Sequence, residues 1–222
     1  MREAGATLTF AFDAGYDDAL VRKVWNDPRV AMWEATGGED MGVALLRALA
    51  LGDDAAAALG TRTLLELGGN NAAIVHGDAD VSQAVESVLF GATGTAGQRC
   101  TTTRVVYVHE DVYDDVEDQL VRGYETEVRV GDPLMKGVNV GPVFHAAAVA
   151  RFKRGVARAL DAGSELLVGG EVLGGNFVAP TLLRAPNFNH PAGLALVTRV
   201  DRMPQLWYDV FSPANASVAR TT

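Results

Sequence analysis

The sequence predicts an α/β fold with a largely parallel sheet flanked by helices. Three observations carry this. Short apolar or β-branched runs at 72–76, 104–109 and 166–168 have strand length. Between them, apolar residues recur at helical spacing. Strand and helix signals then alternate along the chain, the order a parallel sheet needs for its crossovers.

Residues 72–76 read as a short buried strand. Asp80 has the position of an N-cap, with Gln83 three residues on as in a capping box. Val81, Ala84, Val85, Val88, Leu89 and Ala92 then give one apolar helix face ending near Thr93. The β-branched and aromatic run 104–109 is a strand. Asp111 is expected to cap a second helix through Val112, Val116, Leu120 and Tyr124, and Gly131-Asp132-Pro133 to stop it. Val149, Phe152, Val156 and Leu160 mark a third helix, closed by Gly163. Residues 166–168 form a strand, and Gly169-Gly170 to Gly174-Gly175 bracket a hairpin-like connection into Phe177-Val178.

The two ends read less clearly. Residues 1–63 form one divergent region, 64–183 the main domain and 184–222 a divergent C-terminal segment. Leu45, Leu46, Leu49 and Leu51 give a weak helical face. Gly37-Gly38-Glu39-Asp40-Met41-Gly42 reads as a turn into helix 43–51. It is a poor phosphate loop, lacking both the Gly-x-Gly-x-x-Gly spacing and a preceding strand. Beyond Leu183, prolines punctuate a stretch without a period, and Val210-Phe211-Ser212-Pro213 reads as a strand end.

Composition excludes several classes. With 48% apolar and 21% charged residues the chain is globular rather than disordered. A net charge of −9 argues against nucleic-acid partners, whose phosphates need clustered Lys and Arg. No apolar stretch is long enough to span a bilayer, so no membrane role is expected. Met1 to Phe12 lacks the basic and apolar regions of a secretory signal, and Glu3, Asp13, Asp17 and Asp18 count against a mitochondrial presequence. One cysteine cannot form an internal disulfide, which fits a reducing compartment, and the cytoplasm is the expected location. His76, His109, His145 and His190 have no metal-ligand spacing, so no metal site is expected. Trp25, Trp33 and Trp207 read as core or interface residues. Asp13, Asp17, Asp18, Asp53 and Asp54 read as solvated positions.

Chemistry concentrates at two places. Cys100 closes Gly94-Thr95-Ala96-Gly97-Gln98-Arg99-Cys100, where glycines leave room for a substrate to approach the thiol. Glu66 stands in Leu65-Glu66-Leu67-Gly68-Gly69-Asn70-Asn71. A nucleophilic sulfur and a carboxylate able to activate water are the two groups thioester chemistry needs. Against this stands the ordinary state of a lone cysteine, a buried and inert small apolar residue. Asn70 and Asn71 follow a glycine pair and are expected to satisfy nearby backbone groups, with a cofactor or substrate contact by Asn71 as the alternative.

Leu65-Glu66-Leu67-Gly68-Gly69, Gly97-Gln98-Arg99-Cys100, Gly131-Asp132-Pro133 and Gly141-Pro142 occur in one order and spacing. Residues 64–183 thereby resemble the catalytic domain of the aldehyde dehydrogenase superfamily. Asn70-Asn71, Ala96 to Thr102 and Gly175-Asn176-Phe177-Val178-Ala179-Pro180-Thr181 are most similar to its antiquitin branch, which oxidises α-aminoadipic semialdehyde. The resemblance implies that Cys100 attacks the aldehyde carbonyl and that Glu66 is the general base that hydrolyses the thioester. It also implies NAD as hydride acceptor, a cofactor contact at Gly68 and one oxyanion donor from the Cys100 N–H. Arg99 is implied to bind the charged tail of the substrate. The competing reading of Arg99 is an ordinary surface ion pair. His145 matches a branch position and is expected to pack.

The family is ordinarily about double this length, so the chain is expected to be truncated relative to it. The oxyanion Asn, ribose Lys and Gly-Ser loop of the cofactor half are not found before Leu65, and Asn26 has the wrong neighbours. The ribose-binding Glu and the oligomerisation arm are not found after Leu183. A chain without those groups is expected to bind NAD weakly or not at all, and to be inactive alone. Two other functions stay open: a thiol esterase needing no nicotinamide, and a non-catalytic fragment that forms homo-oligomers or associates with a full-length homologue.

Overall fold

A computed structural model of the chain describes residues 32–51, 62–186 and 197–203, the last by backbone alone. Trp25, Asn26, the aspartates at 13, 17, 18, 53 and 54, His190, Trp207 and the strand end expected at 210–213 lie outside them. The chain forms two units, Met1–Gly68 and Gly69–Thr222.

In the first unit, strand β1 (Met32–Thr36) pairs in parallel with β2 (Arg62–Glu66), and helix α1 (Glu39–Leu51) lies between them in sequence. Strand β1 alternates, with Trp33 and Ala35 half-buried and Met32, Glu34 and Thr36 exposed. The glycine turn therefore does have a preceding strand, and the expectation that it lacked one is corrected. Five residues holding two inward side chains are too few for periodicity to register. Glu39 and Asp40 open α1, where negative charge suits the positive end of the helix dipole. Leu45 and Leu49 are buried, but Leu46, expected on the same face, points outward. Gly42 is buried against Leu67, where a Cβ would come within 2.9 Å of the leucine. With no side chain on Gly42, the Leu67 methyls pack there without shifting.

The second unit contains a five-stranded sheet in the order β3 (Asn71–Val75), β4 (Thr103–His109), β9 (Val197–Met203), β8 (Thr181–Arg184), β5 (Glu165–Val168). Every pairing is parallel except β5 with β8. A hairpin, β6 (Val172–Gly174) with β7 (Phe177–Val178), fills the bracketed connection as expected. Helices α2 (Val81–Thr93) and α3 (Tyr113–Thr126) share one apolar cluster with Val106, Val108 and Leu182. Helix α4 (Ala146–Asp161) forms another with Leu183, Val178 and Val143. Consecutive Leu182 and Leu183 thus enter different clusters, so β8 is covered on both faces, as a parallel strand must be.

The helix boundaries show which local signals held. The Asp80 carboxylate accepts from the Gln83 N–H at 3.0 Å, so the N-cap of α2 is as expected. Asp111 does not cap α3. It lies in a 3₁₀ turn, Glu110–Val112, whose own cap is His109, accepting from the Asp111 N–H at 3.2 Å. The 3₁₀ turn takes up residues 110–112, so the α-helix starts at Tyr113 with Val112 as its N-cap. Helix α3 ends at Thr126 with Glu127 as its C-cap, before Gly131 is reached. In α4 the buried position is Ala159, while Leu160 is exposed. Gly163 closes it at φ +93°. His145, expected to pack, caps α4 by accepting from the Ala148 N–H at 3.0 Å.

Candidate active site

The α2–β4 connection carries Cys100. Helix α2 ends at Thr93, whose hydroxyl donates to the Leu89 carbonyl at 2.8 Å. Three residues in the left-handed region follow: Thr95 (φ 55°), Ala96 (φ 53°) and Gly97 (φ 63°). Only the glycine adopts that conformation without cost. The others stay there because Ala96 is buried in the α4 cluster and the Thr95 carbonyl accepts from the Gln98 N–H at 3.1 Å. The chain then turns through Gln98 and Arg99 to Cys100, an exposed free thiol.

Gln98 ties this turn to a distant loop. Its Oε1 accepts from the Phe144 N–H at 2.8 Å, and its Nε2 donates to the carbonyls of Thr95 at 3.3 Å and Pro142 at 3.5 Å. The next amide in that loop, Val143 N–H, donates to the Asn176 carbonyl at 2.9 Å. Gly131 N–H donates to the Val140 carbonyl at 3.0 Å. Four motifs separated in sequence thus converge around one turn: Gly97-Gln98-Arg99-Cys100, Gly131-Asp132-Pro133, Gly141-Pro142 and Gly175-Asn176.

Arg99 turns back toward α2. Its Nη2 donates to the Phe90 carbonyl at 2.9 Å and the Gly91 carbonyl at 3.3 Å, and its guanidinium stands 4.9 Å from the Phe90 ring centroid. Cations favour such a position over an aromatic face. A Cβ on Gly94 would lie 2.6 Å from that Nη2, so the glycine opens the path for the side chain. Arg99 thereby serves carbonyls of the last helical turn, joining the Gly94 N–H on the Phe90 carbonyl.

Asn71 opens β3 beside the turn. Its Nδ2 donates to the Cys100 carbonyl at 2.6 Å and the Thr102 carbonyl at 3.1 Å. Asn71 serves backbone groups, but not the local ones expected: they lie 29 and 31 residues away, brought near by the pairing of β3 with β4. Arg104 donates from Nε to the Gly69 carbonyl at 3.2 Å. Its Nη1 is buried without a hydrogen-bond partner among the described residues, and burial lowers its pKa below the usual guanidinium value. Gln98 and Arg104 were not singled out in the sequence. Gln98 lay inside a recognised motif, but its partners 44 and 46 residues away leave no local signal.

Glu66 and Gly68 belong to the first unit, Cys100 and Arg99 to the second. Glu66 ends β2 with an exposed side chain, and its carbonyl accepts from the Gly37 N–H at 3.0 Å. That bond joins the C-terminal ends of the two parallel strands, where α/β sheets bind nucleotides. A Cβ on Gly38 or Gly68 would meet nothing within 4 Å. Backbone is open to a ligand at both glycines, and α1 begins at Glu39. These features fit the pyrophosphate end of a dinucleotide. Among the described residues no group of His, Cys, Asp or Glu could hold a metal ion, and no helix is long and apolar enough to cross a membrane.

Comparison with known proteins extends the resemblance beyond 64–183. A putative aldehyde dehydrogenase family 7 member A1 homolog of Caenorhabditis elegans is 39% identical over 196 residues, covering 87% of this chain and 35% of that protein. Mouse alpha-aminoadipic semialdehyde dehydrogenase is 42% identical over 161 residues, covering 71% of this chain and 28% of that protein. The solved 3,6-anhydro-L-galactose dehydrogenase in complex with NAP superposes with a TM-score of 0.76 at 27% identity, over 86% of this chain and 40% of that one. The chain spans about a quarter to a third of the length of the curated relatives it matches. The model of the aldehyde dehydrogenase family matches residues 10–192, across both units and every motif gathered around Cys100, and to that family the chain belongs.

Proposed function

We propose that the chain is the thiol-bearing part of an NAD-dependent aldehyde dehydrogenase that acts on a semialdehyde. The observation that carries this is an exposed free thiol at the end of a left-handed turn, tied by hydrogen bonds to distant motifs. Such preorganisation is what covalent catalysis needs.

In this reading the Cys100 sulfur bonds to the aldehyde carbon, and the carbonyl oxygen takes the negative charge. The Cys100 N–H donates to that oxygen. A bound nicotinamide would supply the hydride acceptor that oxidation to a thioester on Cys100 requires. Glu66 takes a proton from water, the water oxygen adds to the thioester carbon, and the C–S bond breaks to release a carboxylic acid and the thiol. Gly37, Gly38 and the first turn of α1 would hold the pyrophosphate, with Gly68 giving close approach at the other strand end. A guanidinium has more N–H donors than the bonds to Phe90 and Gly91 use, so Arg99 can also take a carboxylate tail. The semialdehyde follows from the antiquitin-type motifs and the mouse relative.

NAD titration by calorimetry, followed by an assay with α-aminoadipic semialdehyde, tests the proposal. Weak NAD binding that survives in Cys100→Ser, with any NADH formation lost there, is expected. NADH formation that persists in Cys100→Ser removes the thiol from the mechanism. Hydrolysis of an activated ester without any response to NAD selects the esterase.

A further inference from the structure

We infer that Asn71 is a positioning residue for Cys100, setting the direction of both its Cα–Cβ bond and its backbone N–H. The inference rests on the reading of Cys100 as nucleophile and deepens it.

Cys100 lies between two peptide planes, and each is held by one hydrogen bond. The Arg99–Cys100 peptide is held by the Thr102 N–H, which donates to the Arg99 carbonyl at 3.2 Å. The Cys100–Thr101 peptide is held by Asn71, whose Nδ2 donates to the Cys100 carbonyl at 2.6 Å. Planar trans peptides leave φ and ψ as the only soft backbone angles, so fixing both planes fixes the Cys100 backbone and the base of its side chain. The first plane points the Cys100 N–H opposite to the Arg99 carbonyl, away from Thr102. The second sets the Cα–Cβ direction relative to that N–H. Asn71 makes the second plane rigid because its other amide hydrogen reaches the Thr102 carbonyl at 3.1 Å, so it cannot pivot about one bond.

The sheet brings this about. The β3–β4 register slips between Asn71 and Ala72, pairing with Thr103 and then Val105. The slip falls where the Asn71 amide reaches the turn. Gly69 makes room, since a Cβ there would come within 3.3 Å of the Asn71 Oδ1. The Gly-Gly-Asn-Asn and Gly-Gln-Arg-Cys motifs therefore share a physical connection through the carbonyl of the nucleophile itself.

Two reactions of the one thiol separate positioning from mere folding. p-Nitrophenyl acetate acylates Cys100: the thiolate sulfur bonds to the acetyl carbon, an oxyanion forms, and p-nitrophenolate leaves. Iodoacetamide alkylates the same sulfur, displacing iodide without any oxyanion. The ratio of the two rate constants reads the N–H and sulfur geometry and cancels simple accessibility. In the native chain the ratio should exceed that of the same chain unfolded in urea. Asn71→Ala, and the isosteric Asn71→Asp that cannot donate, should lower it about 10- to 100-fold, with alkylation little changed. Asn71→Ser, keeping one donor, should recover part of the loss. A native ratio no higher than the unfolded one overturns the reading of Cys100 as a preorganised nucleophile. A raised native ratio that survives Asn71→Asp overturns the role of Asn71 alone. If Asn71→Ala and Asn71→Asp fail to fold, an unchanged ratio in Asn71→Ser overturns it.

Discussion

Thr95 and Ala96 hold left-handed backbone that glycine adopts far more cheaply, and both lie within five residues of Cys100. Thr95 is exposed and β-branched, so its side chain contributes strain with little burial in return. Thr95→Gly should raise stability by about 1 kcal/mol, read from the urea midpoint. Ala96→Gly should not, because it also removes a buried methyl from the α4 cluster. Glu66→Gln separates the two chemical roles. Acylation of Cys100 by an activated ester should continue, giving a burst of about one equivalent, and deacylation should then stall. Steady turnover at the wild-type rate in Glu66→Gln would remove Glu66 as base.

The clip between α3 and the sheet works at the scale of elements. Glu117 of α3 is buried and accepts from the Tyr113 hydroxyl at 2.9 Å. Arg184, at the end of β8, donates to it through Nε at 2.9 Å and through Nη2, and also pairs with Glu165 on neighbouring β5. Burial first, and then the Glu117 carboxylate, push the Tyr113 hydroxyl above its ordinary pKa of 10.0. The sign follows from linkage. Above pH 10 the unfolded chain releases this proton while the folded chain keeps it, so ionisation favours unfolding. The stability this hydroxyl contributes is therefore whole below pH 10 and declines as pH rises past it. Tyr113→Phe should cost about 1 kcal/mol at pH 7 and flatten the alkaline fall seen in denaturant midpoints. Unchanged alkaline behaviour in that variant would assign the fall to other groups. At the other element junction, Gly38 has open space before α1 and a backbone that tolerates a side chain. Gly38→Asp should leave thermal unfolding nearly unchanged and weaken NAD binding about fivefold or more by calorimetry, since a carboxylate there repels the pyrophosphate.

Over the whole molecule, β9 lies between β4 and β8 and makes parallel ladders with both. It comes from the segment where the sequence shows no period. A chain ending after Pro186 would leave two strand edges open in the middle of the sheet. Such a truncation should lose its cooperative thermal transition and associate in solution, measured by calorimetry and by light scattering. The sequence by itself determined the alternation of strand and helix between 71 and 168, the Asp80 cap, the glycine stop at Gly163 and the hairpin at 172–178. Each rests on side chains within a few residues of one another, so composition and period record it. It also marked Cys100, Glu66 and the motifs around them, because glycines and a lone thiol are chemically distinct residues. Only the tertiary structure decided that β1 precedes the glycine turn, that β9 lies inside the sheet, and that Leu46 and Leu160 face outward. It alone showed the Arg99 guanidinium on the Phe90 and Gly91 carbonyls, Gln98 on Phe144 and Asn71 on Cys100. The physical reason is common to these cases: a strand's place in a sheet and a side chain's distant partner depend on which backbone groups remain unpaired after folding, and no local pattern carries that information.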